Sequence, residues 1–203
     1  AISAQQGATT TGDLVISSTN VSSRAGILSA NQGSGALTVT STGTVTGTGS
    51  TGIYAVQGTN ALGDLSVSVA DVQSSETGIV AINNGSGSTL ITATGTVSSG
   101  QNGIVADNTN GGALPISANT VTGTGTAADG INASNDASGT SLSIRTTGTI
   151  TGDSRGIEVE NLGVGDLLID TSNASAPTTV TGGVRGILAT NQNGGALTIT
   201  TDN

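Results

Sequence analysis

Carboxylates are the side chains of this sequence that come closest to a catalytic arrangement. The 203 residues include 13 Asp and Glu and four Arg, and no Lys, His or Cys. This composition removes the usual nucleophile–base pairs and most transition-metal sites. Paired carboxylates can still hydrolyse glycosidic bonds. Glu158 and Glu160 are two residues apart, which places both on the outward face of one predicted strand.

We interpret the Glu158–Glu160 pair as a solvated charged face rather than a catalytic pair. The two side chains would lie about 6–7 Å apart on an exposed strand, with Arg155 and Arg185 nearby in the repeat. Nothing in the flanking sequence indicates a cleft that would perturb their pKa values. A carbohydrate-active enzyme is therefore kept as a second alternative, and we predict no catalytic residue and no cofactor.

A second group of carboxylates recurs in Gly-Asp-Leu triplets, at Asp13, Asp64 and Asp166. These triplets fall at the same point of non-neighbouring repeats, so their side chains cannot cage one calcium ion together. The glycine-rich nonapeptide of calcium-binding solenoids, which needs an Asp in consecutive turns, is absent. We predict no metal site, while isolated calcium sites stay open.

The positions of all these residues follow from an internal repeat. A Gly-Ile dipeptide recurs about every 26 residues, and a further copy begins at Ile2. The isoleucines of the eight copies are Ile2, Ile27, Ile53, Ile79, Ile104, Ile131, Ile157 and Ile187. A fixed period in this range indicates a repeat architecture. We number the copies as coils one to eight.

Each coil is predicted to contain three short strands. The first alternates as in Ile79, Ala81 and Asn83, and about six residues later a second alternating pair follows, as in Leu114 and Ile116. A single β-branched residue, Val121 in coil five, marks the third strand. Gly, Asn, Ser and Thr fill the corners, as turn chemistry requires.

This pattern predicts an all-β fold, a right-handed parallel β-helix of about eight coils that covers residues 1–203 as a single segment. Stacked coils place Ile on Ile and Leu on Leu at about 4.8 Å. The rival is an antiparallel sandwich, which would not need the same residue at the same phase of every unit. Pro115, between Leu114 and Ile116, is expected to point outward and create a local defect.

One inward position of the first strand holds an amide in every coil. A buried amide is costly unless its donors and acceptors are matched, and amides stacked one coil apart match each other. We therefore predict a structural amide ladder rather than a ligand-binding track. Its members are Gln6, Asn31, Gln57, Asn83, Asn108, Asn135, Asn161 and Asn191.

The outward positions of the same strand are apolar in several consecutive coils. Stacked, they would form an exposed stripe, which we call the contact stripe, before Asn132, Glu158 and Glu160 replace it. Contiguous exposed apolar area usually marks a contact surface. Two other readings stay open, namely strand propensity alone and a covering chain segment. The contact stripe comprises Leu28, Tyr54, Val56, Val80, Ile82 and Val105.

The lengths of the corners and the net charge indicate where insertions lie and which partners are unfavourable. The gaps widen between Gln57 and Leu65, between Val121 and Ile131, and between Ile169 and Val180; we read them as neutral insertions. The net charge of −9 makes nucleic acid and anionic membrane surfaces poor partners. No apolar run approaches the roughly 20 residues of a membrane span, so we expect no membrane insertion by this segment.

The pattern Gly-Ile-x-Ala-x-Asn followed by Gly-Ala-Leu-x-Ile, clearest at 26–47 and 186–200, resembles the passenger repeats of bacterial autotransporters and related large adhesins. This resemblance implies a β-helical stalk that is exported and displayed on the bacterial cell surface or shed outside the cell. The sequence contains no catalytic motif of the protease or esterase passengers of that family.

These observations predict a non-enzymatic structural or adhesive segment, excised from or continuing into a longer repeat protein. It would act as a rigid stalk whose contact stripe meets a ligand on a host or neighbouring-cell surface, or a second copy. The first alternative is an extracellular filament subunit that stacks end to end.

Overall fold

The computed structural model describes residues 1–173 and 176–202, and in these ranges the regular structure consists of β-strands without a helix. The strands are β1 (Ile2–Gln6), β2 (Leu14–Ser18), β3 (Val21–Ser23), β4 (Ile27–Asn31), β5 (Leu37–Gly47), β6 (Ile53–Gln57), β7 (Leu65–Ser74), β8 (Ile79–Asn83), β9 (Thr89–Ser99), β10 (Ile104–Asn108), β11 (Leu114–Gly123), β12 (Asp129–Asn135), β13 (Leu142–Thr146), β14 (Ile150–Gly152), β15 (Arg155–Asn161), β16 (Leu167–Asp170), β17 (Val180–Gly182), β18 (Arg185–Asn191) and β19 (Leu197–Thr200).

The strands stack as a parallel β-solenoid of about eight turns, which confirms the predicted fold class. The first strands of the coils form one sheet in the order β1-β4-β6-β8-β10-β12-β15-β18, and the later strands form a second sheet. Equivalent residues lie side by side, as in the pairs Ile79↔Ile104 and Asn83↔Asn108. In the inward rows of the first sheet, isoleucine therefore sits on isoleucine, and small or amide side chains mostly sit on their own kind.

The three-strand coil holds in part of the solenoid and is modified in the rest. In coils two to five the second and third strands run together as β5, β7, β9 and β11, while coils one, six and seven keep them separate. The merged strands turn the corner through irregularities in pairing, for example between Ser41 and Thr44. A bulge lets a strand bend without ending, so the sequence pattern alone did not reveal the continuity.

The core consists of the stacked apolar columns. Ile53, Ile79, Ile104 and Ile131 are fully buried, and the Leu, Val and Ala columns pack beside them. In the first sheet each inward side chain lies beside the equivalent residue of the adjacent coil, because the strands pair residue for residue. Stability in such a solenoid accumulates coil by coil.

The glycine that precedes the isoleucine in coils two to seven is required by close approach rather than by turn geometry. A Cβ on Gly103 would lie 2.2 Å from Val121 Cγ1 and 2.5 Å from the Gly130 carbonyl oxygen. No glycine in the described ranges has a positive φ. The turn role that we expected for glycine therefore does not explain this column, which instead lets the third strand and the next coil pass close by.

Pro115 lies in β11 as predicted, opposite Ser143 and half-buried. Pairing of β11 with β9 begins only at Ile116↔Ile91, which is the expected local defect, since proline has no N–H to donate.

Of the three widened gaps, the first contains buried Ala61 beside exposed Leu62. The third includes residues 174 and 175, which lie outside the described residues.

Candidate contact face and amide ladder

The structure places all six residues of the predicted contact stripe on the outer face of the first sheet. Leu28, Tyr54, Val80 and Val105 follow one another in register across β4, β6, β8 and β10. Val56 and Ile82 form a second row two positions along the same strands. Tyr54 is 39% exposed and the other five are half-buried. Because these residues are register neighbours on adjacent strands, they form one continuous and partly exposed apolar surface.

A shallow groove adjoins this stripe at Tyr54. It has a volume of about 270 Å³ and is lined by Tyr54, Leu28, Ala30, Ser3 and Gln5, among others. The groove exists because small residues of coils one and two stand beside the larger Tyr54. An aromatic ring with a free edge and a polar tip is a frequent anchor in contact surfaces.

The same face changes character after coil five. The row of Val105 continues to Asn132 and Glu158, and the row of Ile82 continues to Asp107, Ser134 and Glu160. The outer surface of one sheet thus carries an apolar part over coils two to five and an acidic part over coils five to seven.

Glu158 is not the freely solvated carboxylate that the sequence indicated. Arg155 Nη1 donates to Glu158 Oε2 at 2.6 Å and lies 3.6 Å from Asp129 Oδ2. Asn132 Nδ2 lies 3.1 Å from an oxygen of each of these two carboxylates. Burial and the neighbouring Asp129 raise the pKa of Glu158, while Arg155 acts in the opposite direction.

Asp129 is the residue of this cluster that the sequence reasoning missed. It is 3% exposed, and its Oδ1 accepts the backbone N–H of Arg155 in the next coil at 3.1 Å. Its place directly before a Gly-Ile dipeptide, with an Arg at the matching place one repeat later, was the available signal.

The expected carboxylate pair is not brought together as a catalytic unit. Glu158 is held by Arg155, whereas Glu160 accepts a hydrogen bond from Gln192 at 3.2 Å. Arg185 lies opposite Arg155 in the adjacent strand and is exposed. The acidic part of the face therefore contains one ion-paired cluster and the separate carboxylates of Asp107 and Glu160. Burial beside Ile82 raises the pKa of Asp107.

The predicted amide ladder is continuous over the C-terminal part of the solenoid. From Asn83 onward, each side-chain nitrogen donates to the side-chain oxygen of the next coil. The N···O distances are 3.2 Å for Asn83–Asn108, 2.9 Å for Asn108–Asn135, 2.9 Å for Asn135–Asn161 and 3.0 Å for Asn161–Asn191. Most of these amides also donate to a corner carbonyl four residues on, as Asn161 does to Gly165 at 3.0 Å.

The ladder is interrupted where glutamine replaces asparagine. Gln57 Nε2 donates to the Gly63 carbonyl six residues on, and Gln6 Nε2 reaches Gly12 in the same way. Both corners are two residues longer than the usual one, so the longer side chain is needed to reach the carbonyl. The side-chain oxygens of Gln6 and Gln57 are buried without a partner. Corner length at Gln6 was a signal that the sequence reasoning overlooked.

The Gly-Asp-Leu carboxylates fasten one coil to the next. Asp13, Asp64 and Asp166 each accept, at 2.8 Å, a backbone N–H from the corner of the following coil. They are corner caps, a role that sequence reasoning did not assign. Within residues 1–173 and 176–202, no group of three or more His, Cys, Asp or Glu could hold a metal ion.

Comparison of the chain with protein-family models, curated proteins and solved structures finds no match. In the described part of the chain, no helix has the length and apolar character needed to cross a membrane.

Proposed function

We propose that this chain is a non-enzymatic, rigid segment of a secreted or cell-surface protein of the autotransporter type, and that the contact stripe is its binding surface. The observation that carries this proposal is the in-register apolar surface on the outer face of the first sheet. Outward positions of an antiparallel or solenoid sheet are usually polar, and contiguous exposed apolar area marks contact sites. The repeat style described above supports the extracellular setting.

A rigid stalk suits the architecture because each coil pairs with its neighbours in two sheets. The corner caps add links between coils one and two, three and four, and seven and eight. Eight coils at the interstrand spacing extend about 35–40 Å. A stalk of this kind holds a contact surface at a fixed distance and orientation, and needs no catalytic group. The partner would be a ligand on a host or neighbouring cell, or a second copy.

The test is a pair of charge insertions in the stripe. Val80→Asp combined with Val105→Asp should abolish binding to cell surfaces, or self-association, while the β-type circular dichroism stays unchanged. Thr38→Asp with Ser66→Asp is the matched control, because these residues are register neighbours on the outer face of the second sheet. Unchanged association in the stripe variant, or equal loss in both variants, would remove the contact function. Electron microscopy that shows concentration-dependent filaments would favour the end-to-end alternative.

A further inference from the structure

We propose that the outer face of the first sheet binds a protein segment that is apolar over one half and cationic over the other. This inference rests on the proposed contact function and assigns the chemistry of the partner. The two halves of the face are the contact stripe and, beyond it, an acidic end formed by Asp107, Asp129, Glu158 and Glu160.

The two halves are parts of one surface rather than two separate patches. Val105 belongs to the stripe, and its register neighbour toward the C-terminus is Asn132, followed by Glu158. In the second row, Ile82 is followed directly by Asp107. From coil two to coil seven there are five interstrand steps, or about 24 Å. An extended segment of about seven residues, laid along the solenoid axis, spans this distance.

The acidic end keeps an excess of negative charge after its internal pairing. Arg155 pairs with two of its four carboxylates, and Arg185 is the register neighbour of Arg155 in coil eight. Four carboxylates less these two arginines leave two unbalanced negative charges. Asp107 has no ion pair among the described residues, and Glu160 is hydrogen-bonded only to an uncharged amide. Burial of Asp107 beside Ile82 raises its pKa, and an incoming cation would relieve this unfavourable ionisation.

A second copy of this chain is a poorer occupant than a cationic segment. The chain carries four Arg in total, and one of them is already paired within the acidic end. Two faces of this kind would bring like charges together, which disfavours association. Complementarity therefore favours a partner with apolar side chains opposite coils two to five and Arg or Lys opposite coils five to seven.

The test uses three fluorescein-labelled decapeptides that differ in charge alone. Each peptide has threonine at its even positions and isoleucine, valine and isoleucine at positions one, three and five. Positions seven and nine are both arginine, both glutamine or both glutamate. We expect the arginine peptide to bind at least about tenfold tighter than the glutamine peptide at low salt, and the glutamate peptide to bind weakest. The difference should shrink in about 0.5 M NaCl, because salt screens exposed charges.

The double variant Asp107→Asn with Glu160→Gln should abolish the preference for arginine. Glu76→Gln with Asp170→Asn is the matched control, since this double variant changes the net charge equally. Glu76 lies at a corner and Asp170 lies on the second sheet. Equal binding of all three peptides, or loss of the preference in the control variant as well, would overturn the cationic partner and leave the contact stripe standing. Binding of none of the peptides up to about 1 mM would overturn the contact surface itself.

Discussion

The first three coils and the last five solve the same packing problem in different ways. Asn83, Asn108, Asn135 and Asn161 each donate to the ladder amide of the next coil, with N···O distances of 2.9–3.2 Å. In coils one to three the amides are tied to their own corners, as Asn31 is to Gly35 at 2.7 Å. The two long corners carry glutamine, and the amide–amide bonds are missing between each glutamine and its neighbours in the ladder, including Asn31, which lies between Gln6 and Gln57.

The outer face divides the solenoid at nearly the same place. Coils two to five present the apolar contact stripe, and coils five to seven present the acidic end. The inner column and the outer rows belong to the same strands, so one repeat supplies both. The continuous ladder runs beneath the whole charged part of the face and begins under coils four and five of the apolar part, whereas coils two and three of the apolar part lack amide–amide bonds.

The largest effect that we predict comes from breaking the ladder in its continuous part. Asn108→Leu removes bonds to Asn83, Thr89, Gly112 and Asn135 in a buried site. Unpaired buried polar groups cost about 1–3 kcal/mol each, so we expect a loss of about 4 kcal/mol in the free energy of unfolding. Guanidinium denaturation followed by circular dichroism measures it.

Asn31→Leu is the matched change in the interrupted part of the ladder, and it should be about half as destabilising. Asn31 makes no bond to another ladder amide, and its acceptor Gly35 also lies 3.4 Å from Gln57 Nε2. Equal losses in the two variants would mean that the amide–amide bonds contribute nothing beyond corner capping.

Glycine substitutions test whether the two parts share the same coil spacing. Gly52→Ala and Gly103→Ala should each destabilise the protein by about 2–3 kcal/mol through overpacking, because in both cases a Cβ would approach the neighbouring Val and the next glycine carbonyl within 2.7 Å. Gly12→Ala is the control, since nothing lies within 4 Å of its Cβ. A tolerated Gly103→Ala would contradict the close approach of coils five and six. Thermal unfolding ranks the three variants.

The link between glutamine and corner length predicts a rescue. Gln57→Asn alone should cost about 1 kcal/mol, because the shorter amide loses its hydrogen bond to the Gly63 carbonyl. Deletion of Thr59 and Asn60, which are the exposed centre of the Gly58–Ala61 turn, should restore the stability of this variant. A denaturation cycle of the two single changes and their combination gives the coupling energy. Strictly additive effects would show that corner length does not select the side chain.

The smallest effect concerns the boundary between the apolar and acidic parts of the face. Burial raises the pKa of folded Asp107 above its ordinary value of 3.8. The stability that its protonated carboxyl contributes is therefore fully present below pH 3.8 and is lost as the pH rises through the folded pKa. Asp107→Asn should therefore stabilise the protein at pH 7, within about 0.5 kcal/mol for this half-exposed group, and have no effect at pH 3. If Asp107→Asn stabilised the protein more at pH 3 than at pH 7, the pH dependence would have the opposite sign and the predicted cost of ionising Asp107 would be wrong.

The repeat allowed the fold, the amide column and the contact stripe to be predicted from the sequence. A period of two within a strand fixes which side chains share a face, and the constant phase of Ile79 and Ile104 fixes which residues are neighbours. Those two rules need no knowledge of distances.

Features that depend on contacts across a corner could not be read in the same way. The capping role of Asp64 and the burial of Asp129 arise because a corner of one coil lies beside a corner of the next. The reason for Gly103 is likewise a distance between coils rather than a local conformation. The merging of β5, β7, β9 and β11 from two strands each depends on how the corner bends.

The central claim, that each Gly-Ile unit forms one coil stacked in register on the last, is tested most directly by a molecular ruler. The chain has no cysteine, so spin labels can be attached to cysteines introduced in pairs at outward positions of the third strands. The first label stands at Ser22, and the second stands in turn at Ser98, Thr122, Thr151 and Thr181, which share one register row. Pulsed electron paramagnetic resonance should give distances that rise linearly, by about 4.8 Å per coil. A distance that fails to increase from one pair to the next would contradict the stacked solenoid.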